Sequence, residues 1–110
     1  EIIVSEYCSS WKAANHAFGE WTKKDSRLNF LPYKDYTEDH IALMKKNAMP
    51  LLTRPPLPGT NTIIIGHDDP FEAATGIYPE PQGIAFILQP DGGKSFKIIG
   101  SVLPSEWATL

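Results

Sequence analysis

Asn61-Thr62-Ile63-Ile64-Ile65-Gly66-His67-Asp68-Asp69-Pro70-Phe71-Glu72 decides the fold of this chain. Thr62-Ile63-Ile64-Ile65 reads as the best buried strand in the chain. The run then breaks at Gly66. Asp69 is placed as a helix N-cap, with Pro70 at the first helical position and Glu72 as the reciprocal capping residue; Gly76 ends the helix. Strand, tight turn and helix in this order make one arm of a parallel α/β sheet.

Working outward, Ile2-Ile3-Val4 is short, apolar and β-branched, which suits a strand buried on both faces. Ser9 or Ser10 can cap a following helix that carries Trp11, Ala14 and Phe18 on one face and stops at Gly19. Leu28 to Leu31 reads as a short strand closed by Pro32. Thr37 caps a second helix to about Asn47, with Ile41, Met44 and Ala48 on one face. Leu51 to Gly59 holds Pro55, Pro56 and Pro58 and is expected to be a stiff loop. Ile84 to Leu88 and Phe96 to Leu103 are strands joined through Pro90-Asp91-Gly92-Gly93, a hairpin signal, and Trp107 lies in a short tail. The order implies an α/β fold with a mostly parallel sheet and an antiparallel hairpin at one edge.

The 110 residues make room for a single domain, and 42% hydrophobic with 21% charged residues is a globular balance. A net charge of -3 argues against a general polyanion-binding surface, and the densest basic pairs, Lys23-Lys24 and Lys45-Lys46, are too sparse for nucleic acid. No apolar run approaches the roughly 18 residues that span a bilayer, and no secretory leader is visible. The lone Cys8 fits a reducing, cytoplasmic setting. The chain opens on Glu1-Ile2-Ile3-Val4, already inside a core strand, a pattern expected of a truncated domain.

His67 is the leading site residue. It follows a buried strand and precedes a helix, where open α/β sheets gather ligands and where an imidazole can meet an anion or move protons. The competing reading is a histidine that closes the strand end by bonding a loop. His16 and His40 fall on helix surfaces, and three histidines without tight spacing do not make a metal site. Asp68 and Asp69 could form a carboxylate pair for acid–base work, but adjacent acids before a helix serve more often as caps. Cys8 could be a nucleophile, though a small packed residue is the stronger reading. Arg27 and Arg54, the two arginines, both fall in loops.

Two segments together resemble the histidine phosphatase superfamily, the phosphoglycerate-mutase-like proteins. Ser5-Glu6-Tyr7-Cys8-Ser9-Ser10-Trp11-Lys12-Ala13-Ala14 resembles that family's strand-to-helix segment Ser-Pro-x-x-Arg-x-x-x-Thr-Ala. Asn61 to His67, continuing through Pro70-Phe71 and Ala74-Thr75-Gly76, is similar to its second-histidine strand and helix, and the likeness extends through the hairpin to Pro104–Trp107. The resemblance implies a three-layer α/β/α sandwich with a strand ending in Arg-His-Gly, whose histidine takes up the phosphoryl group covalently. It implies that His67 holds and stabilises the phosphoryl oxygens, with Asp68 beside it in substrate contact, and that neither metal nor other cofactor is needed. The expected partner is a small phosphorylated molecule. Arg-His-Gly occurs nowhere in the sequence, and Ser9 stands at the motif's arginine and Ala13 at its threonine. A serine hydroxyl cannot replace a guanidinium, so the chain is expected to be inactive alone. The family's acid has no match among Asp68, Asp69 and Glu72. With the first strand missing, the sheet edge is open to repacking or self-association.

Overall fold

The computed structural model describes residues 1–109. Its strands are β1 (Ile2–Val4), β2 (Lys23–Lys24), β3 (Ile63–Ile65), β4 (Ala85–Pro90) and β5 (Phe96–Val102). Its helices are α1 (Cys8–Phe18), α2 (Glu38–Leu52) and α3 (Asp68–Thr75), with 3-10 turns at Ser26–Leu28 and Pro104–Thr109. The protein is α/β, with a three-stranded parallel sheet in the order β2-β1-β3 and a separate two-stranded antiparallel sheet, β4-β5.

The parallel sheet is built on period-two alternation. In register, Ile2, Ile3 and Val4 face Ile63, Ile64 and Ile65. Ile2 and Val4 bury one way with Ala14 of α1, packed by Trp11, Trp21, Ile63 and Ile65. Ile3 buries the other way with Leu28 and Leu51, packed by Ile64. β-Branched side chains on both faces of β1 explain why this strand is wholly buried and central.

Four local expectations are corrected. The short strand is Lys23–Lys24, not Leu28 to Leu31. The backbone of β1 sets this: the carbonyls of Ile2 and Val4 accept the N–H groups of Thr22 and Asp25, at 2.7 Å each. Leu28 instead enters the core from a 3-10 turn that Asp25 caps by accepting the Arg27 N–H at 3.0 Å. Second, α2 runs past Asn47 and through Pro50 to Leu52. Thr37 and His40 close a capping box at its start, and Glu38 and Asp39 favour the dipole there. At its end, Leu51 and Leu52 are buried. Burying two leucines contributes about 3–6 kcal/mol, which offsets the roughly 3 kcal/mol that an interior proline costs.

Third, α1 begins at Cys8 with Tyr7 as its N-cap, so neither Ser9 nor Ser10 caps it, and Gly19 ends it at φ 75°. Of the predicted stripe, Ala14 is buried and Trp11 half-buried, whereas Phe18 is exposed. Fourth, the hairpin does not lie at the edge of the parallel sheet. β4 and β5 pair only with each other among the described residues, with a register shift at Ile87/Leu88. Phe86 rests on Phe71 of α3 with ring centroids 4.8 Å apart. β3 is therefore an edge strand, paired with β1, and it is half-buried where β1 is wholly buried.

Candidate functional site

Parallel pairing brings the carboxyl ends of β1 and β3 side by side, and the chain leaves each in the same direction. β1 runs into Ser5 and then α1; β3 runs into Gly66, His67 and then α3. Two residues 62 positions apart in the sequence thereby meet: Ser5 Oγ lies 2.7 Å from His67 Nε2. Ser5 is fully buried and His67 half-buried.

A second serine fixes this corner. Ser10, in the first turn of α1 and buried, accepts the Ser5 N–H at 3.1 Å and donates its hydroxyl to the Ile65 carbonyl. One side chain thus ties α1 to the ends of both strands. The backbone of Tyr7 donates to Ser5 Oγ at 3.3 Å.

Aromatic rings wall the imidazole. Tyr7 and Phe30 stack at 4.4 Å, and each meets the His67 ring edge-on, at 5.4 and 4.9 Å. Tyr7 donates its hydroxyl to the Phe30 carbonyl at 3.2 Å, holding the loop after the 3-10 turn over the site. Burial pushes the His67 pKa down, and the Asp68 and Asp69 carboxylates only partly oppose it. Burial therefore favours the neutral ring.

His67 is also the N-cap of α3, so the helix begins at Asp68, one residue before the predicted Asp69 cap. No side chain caps it, and neither Asp69 nor Glu72 takes the capping role expected of it. Asp68 accepts the Asp69 N–H and the Tyr78 hydroxyl, both at 2.8 Å. That bond to Asp68 raises the Tyr78 phenol pKa. Tyr36 donates to the Leu31 carbonyl at 2.8 Å, and burial, with Asp69 next, holds its phenol above the ordinary value.

The remaining candidates lie elsewhere. Arg27 is bound to Asp25 through two nitrogens, Nε at 3.0 Å and Nη2 at 2.7 Å, and Arg54 pairs with Glu1 at the opposite end of the sheet. Neither guanidinium reaches His67. Ser9 is exposed in the first turn of α1. Cys8 is free and exposed rather than packed. His40 stacks on Tyr33 at 4.2 Å and serves the α2 cap, and His16 is exposed. Among the described residues no cluster of three acidic, histidine or cysteine side chains could hold a metal. No helix among them is long and apolar enough to cross a membrane.

Sequence reasoning placed His67 and its neighbour Asp68 but assigned no role to Ser5, Tyr7, Phe30, Tyr36 or Tyr78. Ser5 carried a signal, as the first residue of the strand-to-helix segment. The aromatic residues carried none, because only the tertiary fold brings them together. No family model matches the chain, and neither a curated protein nor a solved structure matches it.

Proposed function

We propose that this chain is the C-terminal part of a histidine-phosphatase-like domain, in which His67 contacts the phosphoryl group of a small phosphate ester. The Ser5–His67 pair at the adjoining carboxyl ends of two parallel strands carries this reading. It supports a rigid, half-buried imidazole at the place where an open α/β sheet receives an anion. Asp68 stands at the rim, where a carboxylate would repel a phosphate and is better matched to hydroxyl groups on the rest of the substrate.

In the intact domain the phosphoryl group would pass through a phosphohistidine on a residue that this sequence lacks. The chain by itself is a binding surface, not a catalyst. A non-catalytic phosphate-binding or partner-binding module is the second reading, favoured by Ser9 at the arginine position and by the engagement of Arg27 and Arg54 elsewhere.

The two sheets fit the same proposal. α1 packs on one face of β1 and β3, and Leu51 of α2 on the other. One further parallel strand between β3 and β4 would join both sheets into a single three-layer sandwich. Without that strand the β3 edge is open to a second copy of the chain. A reducing, cytoplasmic setting is consistent with the exposed, unpaired Cys8.

Hydrolysis of a generic aryl phosphate tests the catalytic half. No turnover above background is expected, and turnover that disappears in His67→Ala would overturn the claim of inactivity. An in-frame strand ending in Arg-His-Gly upstream of Glu1 would favour the phosphatase over the binding module; a coding sequence without one favours the module.

A further inference from the structure

We infer that Ser5 is the positioning residue of the His67 site, holding the neutral imidazole in the tautomer that keeps its proton on Nδ1 and presents that N–H to an anion. The inference deepens the reading of His67 as a phosphate contact and rests on it for the identity of the ligand. The tautomer itself follows from hydrogen-bond geometry alone.

Ser5 Oγ is fully buried and has two partners, the Tyr7 N–H and His67 Nε2. The Tyr7 N–H is a donor, so it can take only a lone pair of the hydroxyl oxygen. Among the described residues the hydroxyl proton has one acceptor in reach, His67 Nε2. Were Nε2 protonated instead, it would donate to Ser5 Oγ and leave the serine O–H buried without an acceptor. A stranded buried donor is disfavoured by enough to decide between two tautomers that differ little in water. Ser5 therefore donates, Nε2 accepts, and the ring proton sits on Nδ1.

His67 Nδ1 bonds to no described residue. No buried side-chain nitrogen or oxygen lacks a partner among the described residues. Nδ1 must then reach solvent, and its N–H is the free donor of the site. The charged and titratable groups around the ring are Asp68 and Asp69 of α3, with Tyr7 and Tyr36 on the facing segments. None is a cation and the two carboxylates oppose an anion, so contact with a phosphate oxygen rests on the free Nδ1–H alone.

The same geometry disposes of a serine nucleophile. A hydroxyl 2.7 Å from an imidazole resembles a nucleophile–base pair, but Ser5 has no exposed surface from which to attack a substrate. It acts through His67 and touches no ligand.

Imidazole 15N spectroscopy of the 110-residue chain tests this directly. At pH 8 the His67 ring is expected to show Nδ1 at the protonated, pyrrole-type shift and Nε2 at the unprotonated, pyridine-type shift. Ser5→Ala should move the ring to the Nε2–H form favoured in water, with inorganic phosphate bound about fivefold more weakly, the loss of roughly 1 kcal/mol of hydrogen bonding. Ser5→Thr, which keeps the hydroxyl, should keep the Nδ1–H form. An Nε2–H ring in the unsubstituted chain overturns the proposal, as does an Nδ1–H ring in folded Ser5→Ala. Where Ser5→Ala does not fold, the unsubstituted chain and Ser5→Thr decide it. Phosphate that leaves an Nδ1–H ring unmoved overturns the anion-contact reading, not the tautomer.

Discussion

Ser10→Ala removes one buried hydroxyl and should unsettle the whole corner on which His67 stands. The hydroxyl accepts the Ser5 N–H and donates to the Ile65 carbonyl, so its loss strands a backbone donor and a backbone acceptor at the ends of β1 and β3. A buried polar group without its partner costs about 1–3 kcal/mol, and carbonyls tolerate it better than N–H groups. Two such groups sum to about 2–4 kcal/mol. Alanine's helix propensity returns ~0.5 kcal/mol in α1, leaving a net loss of about 1.5–3.5 kcal/mol. That is a sizeable share of the 5–15 kcal/mol or so that a small domain possesses. Urea unfolding measures it as a fall in midpoint at unchanged slope. Ser9→Ala, in the same helical turn but exposed, serves as the control and should stay within ~0.5 kcal/mol of the parent. If Ser10→Ala matches Ser9→Ala, the bridge between the strand ends carries no weight and this account of the corner is wrong.

Three further outcomes follow from the packing and the charges. Leu51→Ala should cost about 2–4 kcal/mol by opening a cavity beside Ile3, Leu28 and Ile64, whereas Leu57→Ala, 78% exposed, should cost under ~0.5 kcal/mol; equal effects would mean that α2 does not enter the core past Pro50. Arg27 holds the Asp25 carboxyl down from 3.8 to about 2, so its contribution is present above 3.8 and is lost as pH falls toward 2. Asp25→Asn should flatten the stability profile across that window while costing no more than ~1 kcal/mol at neutral pH, because the Arg27 side chain is 42% exposed; an unchanged acid profile would refute it. Sedimentation of the purified chain should show concentration-dependent association if the β3 edge is open in solution, and a monomer at every concentration would count against an unsatisfied edge.

Much of the frame was legible because local chemistry and burial agreed. Ile2 to Val4 and Ile63 to Ile65 formed the expected strands, although the isoleucine run, expected to be the best buried, is only half-buried as an edge strand while Ile2 to Val4 is wholly buried; Gly76 ended α3 where its backbone preference required. The failures share a cause. α2 passes Pro50 because Leu51 and Leu52 are needed in the core, a tertiary demand that overrides a local stop signal. Lys23–Lys24 forms a strand because β1 offers carbonyls to that stretch, not because lysines favour strands. Ser9 or Ser10 read as a helix cap, yet the Ser10 hydroxyl reaches 55 residues along the chain to Ile65. The position of His67 between a strand and a helix was legible; its contacts with Ser5 and the Tyr7–Phe30 wall depend on distant segments that no periodicity encodes.

Equilibrium binding of inorganic phosphate to the 110-residue chain, by calorimetry, measures the central claim most directly. A single neutral imidazole N–H without arginine support should bind weakly, with Kd on the order of 10 mM. His67→Ala should weaken that binding at least ~10-fold, the loss of a hydrogen bond to a charged group, while Ser9→Ala should leave it unchanged. Saturable binding that depends on His67 is the result this account predicts. No saturable binding, or equal binding by the parent chain and His67→Ala, would contradict it.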